Sequence, residues 1–303
     1  MIHIGEVSGD TYTQNRLKPK ATWRVSMDGD IKDTFRNLDN VFDMSERCFF
    51  TYYATQNIDK TEEYLQVCQN EYTLIASKIP EVAFSNIWIA QIIADKIPAN
   101  SYVHLGIFNS LRSWNFTQLP SNVYSVCNVG GFGIDGTLST VLGASLVCPH
   151  RLHFVVLGDL AFFYDMNSLG NRYVGNNIRI LLINNGCGTE FRKYDHPCAK
   201  FKENADPYMA AAGHFGCQSK KLVKEYVHNL GFEYLTASSK EEFLEVYEKF
   251  IDPHVIEASV VFEVFIESKD ESDAIDAYRH IVKDHILELK SKMKSLAKYI
   301  VKK

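Results

Sequence analysis

Residues 158–190 read GDLAFFYDMNSLGNRYVGNNIRILLINNGCGTE, directly after the apolar run LHFVVL at 152–157. The run predicts a strand that ends on Gly158-Asp159. A helical pattern comes next, and a second apolar run at 178–183, IRILLI, ends on Asn184-Asn185-Gly186. Short runs rich in Val, Ile and Leu, one helix length apart, are what strands buried on both faces of a parallel sheet require. Working outward, similar runs stand at 102–108 (YVHLGIF), 123–127 (VYSVC), 232–235 (FEYL) and 260–266 (VVFEVFI). Helix patterns fill the gaps at 84–96, 136–147, 162–174, 219–229 and 240–250. The predicted fold class is α/β, doubly wound, with a mainly parallel six-stranded sheet and helices on both faces.

The flanks read differently. Residues 2–4, Ile-His-Ile, look like a strand end with no earlier element to pair with, and Thr11 to Asp43 is polar and irregular. Residues 1–56 are therefore expected to be the remnant of a preceding, middle domain, with a natural edge strand as the alternative. A helical linker is expected over 57–79, with Tyr64, Val67, Cys68, Tyr72 and Ile75 on one face. The main binding domain is expected over 80–268 and a C-terminal helix over 269–303. That helix has Asp273 and Asp276 early and Lys292, Lys294, Lys298, Lys302 and Lys303 late, which matches the helix dipole. Its seam of Val282, Ile286, Leu289, Met293, Leu296 and Ile300 suits either packing on its own domain or a subunit contact.

Composition narrows the function. The 303 residues are 46% hydrophobic, enough for a substantial core. A net charge of -5 and a pI near 6.1 offer no cationic field for nucleic acid or an anionic membrane. Seven scattered cysteines without a C-x-x-C pair argue against a disulfide framework and against zinc. The opening MIHIGEVSGD shows no signal peptide, and the apolar runs are too short to span a bilayer, so a cytoplasmic protein is expected.

Two strand ends in one parallel sheet place Asp159 and Asn185 near each other, at the edge where α/β folds bind ligands. Magnesium takes oxygen ligands and shares them with phosphates. The side chains of Asp159 and Asn185 and the backbone carbonyl of Cys187 supply three such oxygens. A helix starting near Ala161 points free N–H groups at the same spot, which suits an anion. A diphosphate bridged to magnesium meets both demands. Either loop alone reads as a simple turn; the pairing after two apolar strands is what points to a site.

The stretch resembles the fingerprint of thiamine-diphosphate-dependent enzymes of the decarboxylase and acetolactate-synthase-like kind, a GDG followed by Asn-Asn. Here Leu160 replaces the last glycine, and GDLAFFYDMNSL is similar to the matching segment of the 2-succinyl-5-enolpyruvyl-6-hydroxy-3-cyclohexene-1-carboxylate synthases. Asn128 to Thr140 (NVGGFGIDGTLST) and the Asn109-Ser110-Leu111 turn resemble two more of their segments.

The resemblance implies thiamine diphosphate and Mg2+ as cofactors, with Asp159, Asn185 and Cys187 as metal ligands. Ile134 would be the wedge that bends the cofactor, and the carbonyl of Phe132 would accept from its aminopyrimidine. Ser110, Gly158, Leu160, Ala161 and Gly188 would lie around it. The bend brings the pyrimidine amino group to the acidic carbon of the thiazolium.

The same resemblance implies a transferase or lyase acting by decarboxylation and carboligation of a 2-oxo acid in a homo-oligomer. Its catalytic glutamate would come from a pyrimidine-binding domain in the same or a partner chain. No catalytic residue is assigned in this chain, which alone is expected to be inactive. Glu190 is read as a surface or substrate-rim residue. Where the synthases carry two substrate-gripping arginines, this chain has Val129 and Trp114, with Arg112 nearby. That shifts the expected donor to another 2-oxo acid, most simply pyruvate.

Other readings remain open at this point. The chain would be a fragment of a longer enzyme, the small subunit of a split one, or an NAD- or nucleotide-binding α/β protein. Gly131-Phe-Gly133 with Gly136 spells the dinucleotide motif, but no acidic residue closes the following strand. His104 and His153 alternate with apolar neighbours and read as structural, whereas the loop residue His214 could reach a substrate.

Overall fold

The computed structural model describes residues 1–5, 11–55, 62–129, 133–189, 196–209, 219–254 and 257–281, apart from the side chains of 11–13. The chain divides into two units, Met1–Thr73 and Leu74–Lys303.

In the first unit β1 (Ile2–Ile4), β2 (Thr22–Ser26) and β3 (Leu38–Asp43) form a three-stranded parallel sheet in that order. This corrects the expectation of an irregular stretch over 11–43, which also holds helix α1 (Thr11–Arg16). The opening strand does have a partner, but a downstream one, since Ile2–Ile4 pairs with Trp23–Val25. The sequence hid these strands because LDNVFD exposes several of its positions, so no clean apolar run marks it. Helix α2 (Glu46–Ala54) starts at Ser45, whose hydroxyl accepts from the Cys48 N–H at 3.2 Å. Its buried Phe49 meets Phe42 edge-on at 5.0 Å and Tyr53 at 4.7 Å. Helix α3 (Glu63–Ala76) buries none of its residues, and Tyr64, Val67 and Tyr72 are exposed.

The second unit carries β4 (Tyr102–Leu105), β5 (Tyr124–Cys127), β6 (His153–Gly158), β7 (Ile178–Asn184), β8 (Glu233–Ala237) and β9 (Val260–Phe265). They form one six-stranded sheet in the order β5-β4-β6-β7-β9-β8, every neighbour parallel. Along β6, Phe154 and Val156 enter one core while Val155 and Leu157 enter the other. Both faces are thus apolar, which is why the strand reads as a continuous run.

One face is covered by α4 (Asn86–Ile93), α5 (Asn109–Trp114), α9 (Lys240–Phe250) and a helix over 268–281, α10. The other is covered by α6 (Thr137–Val147), α7 (Asp159–Asp165) and α8 (Leu222–Asn229). The expected turn at Asn109-Ser110-Leu111 is the first turn of α5, and β4 ends at Leu105 rather than Phe108. Helix α7 begins at Asp159, three residues before the sequence reading of 162. The apolar seam and late lysines expected beyond residue 281 lie outside the described residues. Among the described residues no helix is long and apolar enough to cross a membrane, and the six described cysteines form no disulfide with one another.

At the amino-terminal end of the sheet, His104 and His153 are buried and share a ring-nitrogen contact of 3.3 Å. The Tyr102 ring stacks on His153 at 4.9 Å, and the Arg151 guanidinium lies 5.5 Å over Tyr102. Their structural assignment agrees with these contacts. Burial, reinforced by His153, holds His104 down to about 4. Burial also lowers His153, with the Arg151 charge adding to it.

Between that value and the ordinary 6.5 the folded state binds fewer protons than the unfolded one. The stability from His104 is therefore full above pH ~6.5 and is lost as pH falls towards 4, a span of roughly 3 kcal/mol. Urea unfolding at pH 7.5 and pH 5 should show about 2 kcal/mol of that loss in the native chain and a much shallower one in His104→Leu. Equal slopes in the two proteins would rule the assignment out.

Candidate functional site

β4, β6 and β7 end at the same sheet edge, and a cavity of about 520 Å³ opens there, within the usual size of a small-ligand site. Its walls are the β4–α5 connection from Ile107 to Ser110, the entry to α6 from Gly133 to Asp135, the start of α7 and the loop after β7. Among the residues expected from sequence, Ser110, Ile134, Gly158, Asp159, Leu160, Ala161, Asn185, Cys187 and Gly188 line it. Phe132 lies outside the described residues, as do Glu190 and His214.

Asp159 is 2% exposed and holds two loops together. One carboxylate oxygen accepts from the Leu160 N–H at 2.8 Å, and the other accepts from the Gly186 N–H at 2.6 Å. The second bond brings the carboxylate against the loop that carries Asn185 and Cys187. Gly186 adopts φ 78°, a left-handed conformation that a side chain would strain, and so turns its N–H to that carboxylate. The Asn185 amide donates to the Thr189 hydroxyl at 2.6 Å, and its carbonyl oxygen accepts from the Cys187 N–H at 3.3 Å. The loop is thereby fixed by its own side chains. Each of these side-chain oxygens can still face a cation through a second lone pair.

The residues fit a metal-bridged anion. Asp159 opens α7, whose first-turn N–H groups point towards the sheet edge. The N-cap Gly158 makes no side-chain cap bond, and a Cβ built on it meets nothing within 4 Å, which leaves room for a ligand. Among the described residues no three His, Cys, Asp or Glu side chains gather around a metal position. A cation here would rely on one carboxylate plus amide and carbonyl oxygens, a hard-cation set.

The opposite wall is built from longer-range contacts. Phe108, at the entry to α5, has φ 68° and ψ -112°. Such a backbone costs about 1–3 kcal/mol and is found where a site over-determines it. Ser110 is buried at this wall. The side chain of Glu271, on α10 and 1% exposed, accepts from the Asn86 N–H at 2.5 Å and from the Asn109 amide. Asn86 Nδ2 and Asn109 Oδ1 are buried with no hydrogen-bond partner among the described residues, and both residues line the cavity. Unsatisfied polar atoms at a cavity wall mark where a polar ligand is wanted.

Beneath the β7 loop, Glu263 accepts from Asn184 at 2.7 Å and from the Tyr234 hydroxyl at 2.7 Å. Burial pushes its carboxyl up, and the Asp159 charge adds to this, while the two hydrogen bonds oppose it.

Sequence reasoning missed Asn86, Glu263 and Glu271. A carboxylate inside the apolar run VVFEVFI was a readable signal for Glu263, whereas nothing in the α10 pattern singles out Glu271. Trp114 is buried in the core, with its indole N–H donating to Asn86 Oδ1 at 3.0 Å. Val129 is half-buried, and Arg112 lies 5.6 Å over the Phe108 ring.

Known proteins bear on this geometry. No family model matches the chain. It is 32% identical over 265 residues to the 2-succinyl-5-enolpyruvyl-6-hydroxy-3-cyclohexene-1-carboxylate synthase of Bacteroides thetaiotaomicron, covering 88% of this chain and 46% of that protein. The same-named protein of Bacteroides fragilis is 30% identical over 267 residues, 88% of this chain and 46% of its own. That of Phocaeicola vulgatus is 29% identical over 282 residues, 93% and 48%. The chain thus spans about half the length of the curated relatives it matches.

Proposed function

We propose, on the premise that this chain belongs to the thiamine-diphosphate-dependent enzymes related to 2-succinyl-5-enolpyruvyl-6-hydroxy-3-cyclohexene-1-carboxylate synthase, that its second unit holds the cofactor's diphosphate and a magnesium ion. The observation that carries this reading is the Asp159 carboxylate clasping the Gly186 N–H at 2.6 Å, which ties the two expected metal loops together. Asp159, Asn185 and the Cys187 carbonyl would hold the metal, and the first-turn N–H groups of α7 and the Ser110 hydroxyl would hold the diphosphate oxygens. Ile134 packs partly buried against the core beneath α6 and α7, a footing from which it can press on the ring system.

The bound cofactor would supply the acidic thiazolium carbon that attacks a 2-oxo acid. The chain's own part is to fix the diphosphate end and exclude water from it. Proton transfer would fall to a glutamate in a pyrimidine-binding domain of the same or a partner chain, within a homo-oligomer, so this chain alone would be inactive. Loss of the two arginine positions to Val129 and buried Trp114 supports pyruvate over a carboxylate-rich donor.

Calorimetry of this chain with thiamine diphosphate should show binding that depends on Mg2+. Together with the completing domain, decarboxylation should be faster with pyruvate than with 2-oxoglutarate. Metal-independent binding would remove the proposed metal role, and a preference for 2-oxoglutarate would remove the proposed donor.

A further inference from the structure

A second concavity, of about 660 Å³, lies away from the Asp159 cavity, between α8 and the edge strand β8. Its helix side is cationic. Lys220, in the turn before α8, is followed at four-residue steps by Lys224 and His228, and Lys221 stands beside them. Side chains four apart share one helix face, so this row runs along the groove for roughly 12 Å. Its strand side alternates as β geometry dictates, placing Tyr234, Thr236 and Ser238 together. The Tyr234 hydroxyl is committed to Glu263 and the Thr236 side chain hydrogen-bonds Tyr234, which leaves the Ser238 hydroxyl for a ligand.

Among the described residues none of the three ammonium groups has an ion-pair partner. Lys220 is stationed 5.1 Å over the Phe265 ring, at the carboxyl end of β9. Among the described residues of the wall the one carboxylate, Glu233, stands at the other end of β8 and acts on the buried Arg179.

We propose that this groove binds a phosphorylated small molecule by its phosphate chain. Lysines serve as point charges for phosphate, and a hydroxyl donates to a remaining oxygen. The volume suits a compact ligand. A net charge of -5 on the whole chain repels a long polyanion, which favours a short one over a nucleic acid.

The probes are inorganic tripolyphosphate and ATP, titrated without magnesium into the full chain at low ionic strength, beside Lys220→Ala/Lys224→Ala and Asp159→Ala. Both probes should bind the native chain and Asp159→Ala alike, and bind the lysine double variant about tenfold more weakly or worse. The double variant should melt with the native chain, since both lysines are exposed. Tighter binding of ATP than of tripolyphosphate would assign a nucleotide, and equal binding a phosphate chain alone; either supports the groove. Probe affinity unchanged in the double variant, or raised in Asp159→Ala by removal of a carboxylate that repels a metal-free anion, would overturn it. The latter result would place the anion in the cofactor cavity.

Discussion

Asp159→Asn is expected to weaken thiamine diphosphate binding roughly 10- to 150-fold when Mg2+ is present, the worth of a charged contact at about 1.5–3 kcal/mol. The same change should leave metal-free binding unaltered or improve it. The reason is one of sign. A carboxylate facing a divalent ion attracts it, but facing a bare diphosphate it repels, by roughly 4 kcal/mol for unit charges 4 Å apart at an effective dielectric of 20.

The substitution also removes the charge that helps to raise Glu263 and keeps an oxygen for one of the two N–H groups that Asp159 now holds. The unliganded chain should therefore unfold within a few degrees of the native one, while its cofactor affinity in Mg2+ collapses. Calorimetry with Mg2+ and with EDTA, beside a melting curve, reads all three quantities. If Asp159→Asn weakens binding equally in both conditions, the carboxylate is not a metal ligand.

The two loops of this prediction were readable because each follows a strand whose side chains are apolar on both faces. β6 and β7 are buried at nearly every position, so LHFVVL and IRILLI mark their own ends, and Asp159 and Asn185 stand at them. The first unit offered no such mark. β3 leaves positions exposed, and its residues Asp39 and Asn40 broke the pattern that would have announced it. α5 reads as a turn in the sequence because six residues are too few to show a helical period. The far wall of the cavity was hidden for a different reason. Asn86 and Glu271 are 185 residues apart and meet only through the packing of α4 and α10 on one sheet face. Local patterning carries no record of such a contact.

That contact gives the other large expected effect. Glu271 is 1% exposed, and its side chain serves the Asn86 N–H at the start of α4 and the Asn109 amide at the start of α5. Glu271→Ala leaves one buried and one part-buried donor unanswered, at about 1–3 kcal/mol each. The melting temperature should fall by roughly 4–24 °C, taking about 2–4 °C per kcal/mol for a domain of this size. Asn109 adjoins Ser110 at the cavity wall, so the loss should also reach the site. At a temperature well below melting, where the variant is folded, cofactor affinity in Mg2+ should still be reduced. Glu271→Gln retains the shape and one acceptor oxygen and should fall between the two proteins in both measurements. If Glu271→Ala unfolds in urea within about 0.5 kcal/mol of the native chain, the ordinary scatter of surface substitutions, then Glu271 does not tie α4 and α5 together. A large loss of stability with full affinity in the folded variant would make it a residue of the core and not of the site.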